Sequence, residues 1–352
     1  MGKPLARLKD VAEKTGFSIN TVSLALRDSP RIPPETKVII RAAASELNYL
    51  PNYVAKSLVN QETKSIGLIL TDLENPILTH VAQAIENHLA KAGYTTLFAT
   101  SNNTLEVETR MIETFRARRA DGMLIFPTNH RRLDHIRALR QRNYPVVLLV
   151  GAGDSGVDAV SMNEQLGAYK AVSHLIGNGH RAIGLIDPAP ALGNVEKKEG
   201  YLQAHADAGL VADPELFVDP KGHSAEAGYW AMATLMARDI KPTAVFATND
   251  SLALGVLRHC AQAGLRVPAD VAIVGFDNIE FAEFAVTPLT TVDYNASRVS
   301  QLAVERVIEL IRRRDELPPP RNTQVTPDLV VRESSAGLRG LADANANGEK
   351  SD

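Results

Sequence analysis

Residues 8–36 read LKDVAEKTGFSINTVSLALRDSPRIPPET, and their pattern describes a small helical unit. Residues 8–15 are predicted to form a short helix with Val11 and Ala12 on its inner side. Thr15-Gly16-Phe17-Ser18 follows as a turn, with Gly16 free to take positive φ and Ser18 placed to cap the next helix. That second helix spans residues 19–27, with Val22, Ala25 and Leu26 at i, i+3, i+4 facing inward. Asn20, Ser23, Leu24 and Arg27 fall on the opposite side. A third helix is expected to begin at Pro33-Pro34-Glu35 and reach Leu47, since proline suits a first helical turn. Val38, Ile39, Ala42, Ala43 and Leu47 are the residues expected to close its core. Two helices joined by a glycine turn, the second with a polar outer face, make a helix-turn-helix. Such a helix fits the DNA major groove, where Asn pairs with adenine and Arg with guanine. A helical bundle with no DNA partner would show the same pattern.

Charge separates this head from the rest. Residues 1–60 hold nine Lys/Arg and five Asp/Glu, a balance of +4, while the remainder holds 29 against 36, a balance of −7. A basic head on an acidic body points to a polyanion partner for the head alone. At 352 residues the chain suits two or three domains. The lone Cys260 excludes an internal disulfide and a thiolate cluster and reads as a small buried apolar residue. No apolar run is long enough to span a bilayer, and the N-terminus has no secretory h-region, so the expectation is a cytoplasmic protein.

From Ser65 onward short apolar runs alternate with amphipathic stretches. The runs are 66–70, 96–99, 122–126 and 146–150, then 182–186, 244–247 and 271–276. Continuous apolar strands with helices between them mean parallel sheets covered on both faces, and two series imply two subdomains in tandem. Polar residues gather just after several strands, at Thr71-Asp72, Asn249-Asp250 and Asp277-Asn278. Ligands bind beyond the carboxyl ends of strands in such sheets, so the cleft between the subdomains is the expected site. Residues 336–352, rich in Ala, Gly, Asn and Asp, read as a disordered tail without the leucine heptads of a tetramerising coil.

The head, continued through AAASELNYLPNYVAKSLV at 42–59, resembles the LacI/GalR family of bacterial repressors. The body resembles the periplasmic-binding-protein-like core of the same family through ENP at 74–76, ADG at 120–122, HLIGNGHRAIGLI at 174–186, FATNDSLALGVL at 246–257, DVAIVGFDNIEF at 270–281 and TPLTTVDYN at 287–295. The resemblance implies an all-α helix-turn-helix head plus hinge helix, joined to an α/β core of two parallel-sheet subdomains. The head occupies 1–51 and the hinge helix and linker 52–63. The effector-binding and dimerisation core occupies 64–335, split as 64–163 with 294–323 and 164–293 with 324–335. By position, Ser18, Ile19, Asn20, Thr21, Ser23, Leu24 and Arg27 form the DNA-facing set, flanked by Leu8, Arg31, Thr36, Asn52 and Ala55. Leu58 on the hinge would wedge into the minor groove beside its counterpart on a second subunit. Around the effector the resemblance places Asp72, Ile77, Val150, Lys197, His223, Asn249, Asp277 and Tyr294.

Four departures from the family pattern bear on function, among them Val150 where an acidic or polar residue is frequent. Leu24 stands where a polar or basic base-reader is common, so no family operator sequence carries over. Lys197 replaces the usual arginine and lacks its planar fork, which weakens the case for a bidentate clamp. Ile77 replaces a frequent aromatic platform. The resemblance implies a homodimer on double-stranded operator DNA and a small polar effector, a sugar derivative being favoured over a nucleobase, with no cofactor and no metal. Two rival readings stay open on the residues alone. Asp72, Asp250 and Asp277 could serve a carbohydrate-active enzyme as cleft carboxylates, although no nucleophile–base pair accompanies them. The body could equally belong to a cytoplasmic solute-binding sensor.

Overall fold

The computed structural model describes residues 6–49, 62–151, 153, 155–188 and 195–335. Asn52, Ala55 and Leu58, and the tail at 336–352, lie outside these residues. The chain divides into two compact units, 1–63 and 64–352.

Among its described residues the first unit holds three helices, α1 (Leu8–Thr15), α2 (Ile19–Leu26) and α3 (Pro34–Glu46). Each is delimited by local chemistry. Gly16 ends α1 at φ 73°, Ser18 Oγ accepts the Thr21 N–H at 3.1 Å to start α2, and Pro34 opens α3. Val11, Ala12, Val22, Ala25, Ile40, Ala43 and Ala44 form the buried core. The expected inner face of α3 is therefore corrected: Val38, Ile39 and Ala42 are exposed, and Ile40 takes their place. Ile40, Ala43, Ala44 and Leu47 run i, i+3, i+4, i+7, the one helical stripe that fits the other two helices. Asp28, at φ 58°, ties the turn after α2 to α3 by accepting from Lys37 Nζ at 3.1 Å and Arg41 Nη2 at 2.7 Å.

Among its described residues the second unit forms two six-stranded sheets. In chain order its elements are β1 (Ser65–Leu70), α4 (Pro76–Lys91), β2 (Thr95–Thr100), α5 (Leu105–Ala117), β3 (Gly122–Ile125), α6 (Asp134–Gln141), β4 (Val146–Leu148) and β5 (Asp158–Met162). Then follow α7 (Glu164–Gly177), β6 (Ile183–Ile186), α8 (Glu196–Asp207), β7 (Phe217–Val218), α9 (Ala225–Met236), β8 (Ala244–Ala247), α10 (Asp250–Gln262) and β9 (Ala272–Asp277). The last are α11 (Glu280–Glu283), β10 (Thr290–Asp293), α12 (Ala296–Arg312), β11 (Asn322–Val325) and β12 (Asp328–Val330).

One sheet runs β11-β5-β4-β3-β1-β2 and the other β12-β10-β9-β8-β6-β7. All pairings are parallel except β10 with β12. The fully apolar strands are buried on both faces, as their composition requires: Ile66, Leu68 and Leu70 pack beneath α4, while Ile69, Met123 and Ile125 pack beneath α5 and α6. The chain changes sheets three times, between β5 and α7, between β10 and α12, and between β11 and β12. β11 continues to Val325, two residues past the expected boundary at 323. Its return is anchored by buried Asp158, which accepts from Arg306 Nε at 2.7 Å, Arg140 Nε at 3.0 Å and the Arg321 N–H at 3.1 Å.

Candidate functional site

Strands of both sheets end on a common cleft enclosing about 830 Å³, part of it open to solvent. Asp72, Ile77, Lys197, His223, Asn249, Asp277 and Tyr294 all line it. Val150, the eighth residue expected there, does not. It is buried with Val146 and Leu148 in the apolar layer that also holds Ile125 and Ile136. Side chains alternate along an extended chain, so positions 146, 148 and 150 share one face, and that face is covered.

Three of the lining residues are fixed by the starts of helices. Asp72 Oδ1 accepts the N–H groups of Glu74 at 2.9 Å and Asn75 at 3.2 Å, and its Oδ2 accepts Asn103 Nδ2 at 3.1 Å. Asn75 in turn caps α4 and sets Ile77 in its first turn. Asn249 caps α10 by accepting the Leu252 N–H at 2.7 Å, which leaves its amide group to donate to His223 Nδ1 at 3.4 Å. That donation assigns the remaining ring proton to Nε2 of a neutral His223. Although His223 is exposed, surrounding protein and the charge of Lys197 lower its pKa.

Asp277 ends β9 with φ 113°, a conformation that costs a non-glycine residue on the order of 1–3 kcal/mol. The turn is held from behind. Buried Asp250 accepts the Ile279 N–H at 2.9 Å and the Thr291 hydroxyl at 2.6 Å, and Arg332 Nη2 donates to Asn278 Oδ1 at 3.0 Å. Burial pushes the Asp250 carboxyl up to about 7. The Asp277 carboxyl is buried, and among the described residues no side chain or backbone N–H hydrogen-bonds to it. Burial raises its pKa well above the usual carboxylate range, against the pull of Lys197. Tyr294, also buried, has its phenol raised by burial and by the carboxylates of Glu164 and Asp277. An unmet buried acceptor at the wall of a cleft is a docking point for a donor from a ligand.

In the head, Ser18, Asn20, Arg27 and Arg31 are exposed, as is Ile19 at 50%. Thr21, Ser23, Leu24 and Thr36 are half-buried, and Leu8 packs partly against the head core. Asn20 and Arg27, the residue types that read base edges, thus lie on one accessible helix and at its C-cap.

Residues 7–52 match the model of bacterial regulatory proteins of the lacI family, and residues 172–335 match a periplasmic binding protein-like domain. Over 339 residues the chain is 34% identical to the HTH-type transcriptional repressor PurR of Proteus mirabilis strain HI4320, covering 94% of this chain and 97% of that protein. The structure of the lac repressor dimer bound to operator and the anti-inducer ONPF matches with a TM-score of 0.84 and 25% identity, over 94% of this chain and 99% of that one. The complex of the regulator CelR with cellobiose matches with a TM-score of 0.68 and 28% identity, over 94% and 99%. The chain belongs to the LacI family. It is a DNA-binding transcriptional regulator and not an enzyme. Among the described residues no helix is long and apolar enough to cross a membrane.

For this LacI-family regulator the cleft also contains residues that sequence reasoning missed: Phe126, Thr128, His130, Glu164 and Asp187. Asp187 follows β6 directly, the same signal that singled out Asp72 and Asp277. Glu164 opens α7 after β5, a strand whose sequence DAVSM has no apolar run. Thr128 is set by Glu108, a buried carboxylate that accepts the Thr128 N–H at 2.6 Å and meets His135 Nε2 at 2.5 Å. Asp250, once a candidate cleft carboxylate, is not among the lining residues.

Proposed function

We propose that this regulator acts in the cytoplasm as a homodimeric repressor, gripping a palindromic operator with two heads and changing its affinity when a small polar effector fills the cleft. The observation that carries this reading is the pairing, in one chain, of an exposed Asn/Arg-bearing second helix with a cleft whose buried Asp277 carboxyl accepts no hydrogen bond among the described residues. Two heads related by a two-fold axis fit a palindrome. The first subdomain, including α4, is the proposed dimer contact. Ser18, Ile19, Asn20, Thr21, Ser23, Leu24 and Arg27 are the proposed groove-facing set, with Leu58 as the hinge wedge. In the cleft, Asp277, Asn249 and Tyr294 would meet the effector's polar groups.

The test is a mobility-shift titration against DNA upstream of the regulator's own gene, with and without stabilising metabolites. Asp277→Ala is expected to retain operator binding and to lose its response to the effector, by at least roughly tenfold in effector concentration. A normal response in that variant would move the effector site elsewhere.

A further inference from the structure

Among the described lining residues the cleft has one lysine, and its ammonium is already engaged. Lys197 Nζ donates to the Thr248 carbonyl at 2.9 Å, stands 3.9 Å from Glu164 Oε1, and lies 4.0 Å above the centroid of the Phe276 ring. The ammonium thus has one hydrogen-bond acceptor in a carbonyl, a carboxylate at ion-pair distance and an aromatic face beneath it. The Lys197 and Glu164 side chains are only 13% and 14% exposed, so the arrangement is packed in place. It links α7, the loop after β8 and β9 through one charge.

The other ionisable groups of the wall are acidic or neutral. Asp72, Glu164, Asp187 and Asp277 supply four carboxyls against that single amine, among the described lining residues. His130 is driven toward its neutral form by burial, and His223 by the surrounding protein and the charge of Lys197. Residues 189–194, which follow Pro188 in sequence, contain no charged residue. Helix N-termini ordinarily attract anions, yet α7 and α8 open beside the cleft with Glu164 and Glu196 in their first turns, and the starts of α4 and α10 are already served by protein oxygens. Asn75 and Asp72 take the N–H groups at the start of α4, and Asn249 takes that of Leu252 in α10. What remains for a ligand is a set of acceptors led by Asp277, with side-chain amides beside them.

We infer that the cleft admits an uncharged, hydroxyl-bearing ligand and excludes phosphorylated or carboxylated ones, with Lys197 acting as an internal brace and not as an anion contact. This rests on the cleft being the effector site. A hydroxyl donates to a carboxylate and accepts from an amide at once, which matches the mixed wall. An anion would meet like charge without a free cation to offset it.

The inference can be tested on the full chain before any effector is known, with inorganic phosphate as the probe. Wild-type melting temperature is expected to show no saturable rise in phosphate over chloride at matched ionic strength. Glu164→Gln keeps the side-chain shape, loosens the brace and removes one negative charge, so this variant is expected to gain saturable phosphate binding. Saturable phosphate stabilisation of the wild type that Lys197→Met abolishes would overturn the inference, as would an E164Q protein no different from wild type. A second arm compares glucose with glucose 6-phosphate and ribose with ribose 5-phosphate. Any pair that binds should favour the neutral member by on the order of 100-fold. A tighter phosphorylated member, lost on Lys197→Met, refutes anion exclusion while leaving the cleft reading intact. A neutral sugar whose affinity ignores both Asp277→Asn and Lys197→Met refutes the cleft reading instead.

Discussion

Glu196, the first residue of α8, faces a crowd of its own charge. Burial together with Glu164 and Glu199 pushes its carboxyl up to about 7, and Lys197 only partly opposes them. The Glu196 carboxyl also lies against Gly151, where an added Cβ would push the carboxyl aside. The unfolded chain ionises this group near 4.5 and the folded chain only near 7. Folding therefore opposes ionisation, and the regulator loses stability as pH rises through that window. Glu196→Gln removes the penalty. Its melting temperature should match wild type near pH 4.5 and exceed it by a few degrees at about pH 8. A difference that stays constant with pH would show that Glu196 titrates normally in the folded state.

Elements bounded by strong local chemistry were readable from sequence, and those shaped by distant partners were not. The head helices fall within one residue of their expected ends because Gly16, Ser18 and Pro34 punctuate them. The inner face of α3 was misjudged because Val38 and Ile39 are as apolar as Ile40, and only packing against α1 and α2 selects among them. The apolar strands were legible, whereas β5, β10 and β11 read as polar. β5 is buried because Asp158 finds Arg140 and Arg306, partners 18 and 148 residues away. The same divide runs through the cleft: Asp72 and Asp277 announce themselves after strands, while Glu164 depends on the unread β5. Gly200 explains how α8 brings Lys197 to Glu164. A Cβ there would collide with the Gln165 carbonyl of α7. Gly200→Ala should force the helices apart at a cost of about 1–3 kcal/mol. Calorimetry should find the melting temperature lowered by several degrees, and the variant should gain phosphate binding as the brace opens. An unchanged melting temperature would mean that α7 and α8 can slide without penalty.

The whole chain divides electrostatic labour, with a +4 balance over residues 1–60 and −7 over the rest. Head charge supplies affinity for any duplex, and that part should weaken with salt whatever the sequence. Specificity needs more than charge, and two heads on one operator would provide part of it. The proposed hinge supplies another part. Two helical turns are too short to persist as an isolated helix, so a hinge of that length would need the operator and a second subunit to hold it. Leu58, carried over by resemblance as the proposed minor-groove wedge, would offset the cost of unstacking a base step when both copies insert. In the full-length dimer, Leu58→Ala is expected to weaken specific operator binding by roughly 10- to 100-fold, equivalent to about 1.4–2.8 kcal/mol. Binding to random duplex should be unchanged because no charge is removed, and the thermal shift caused by any effector should be unchanged because the cleft is untouched. Anisotropy titrations on operator and random DNA, run side by side at several salt concentrations, separate these terms. Equal losses on both DNAs would assign Leu58 to folding of the protein, and undiminished operator affinity would remove it from the interface.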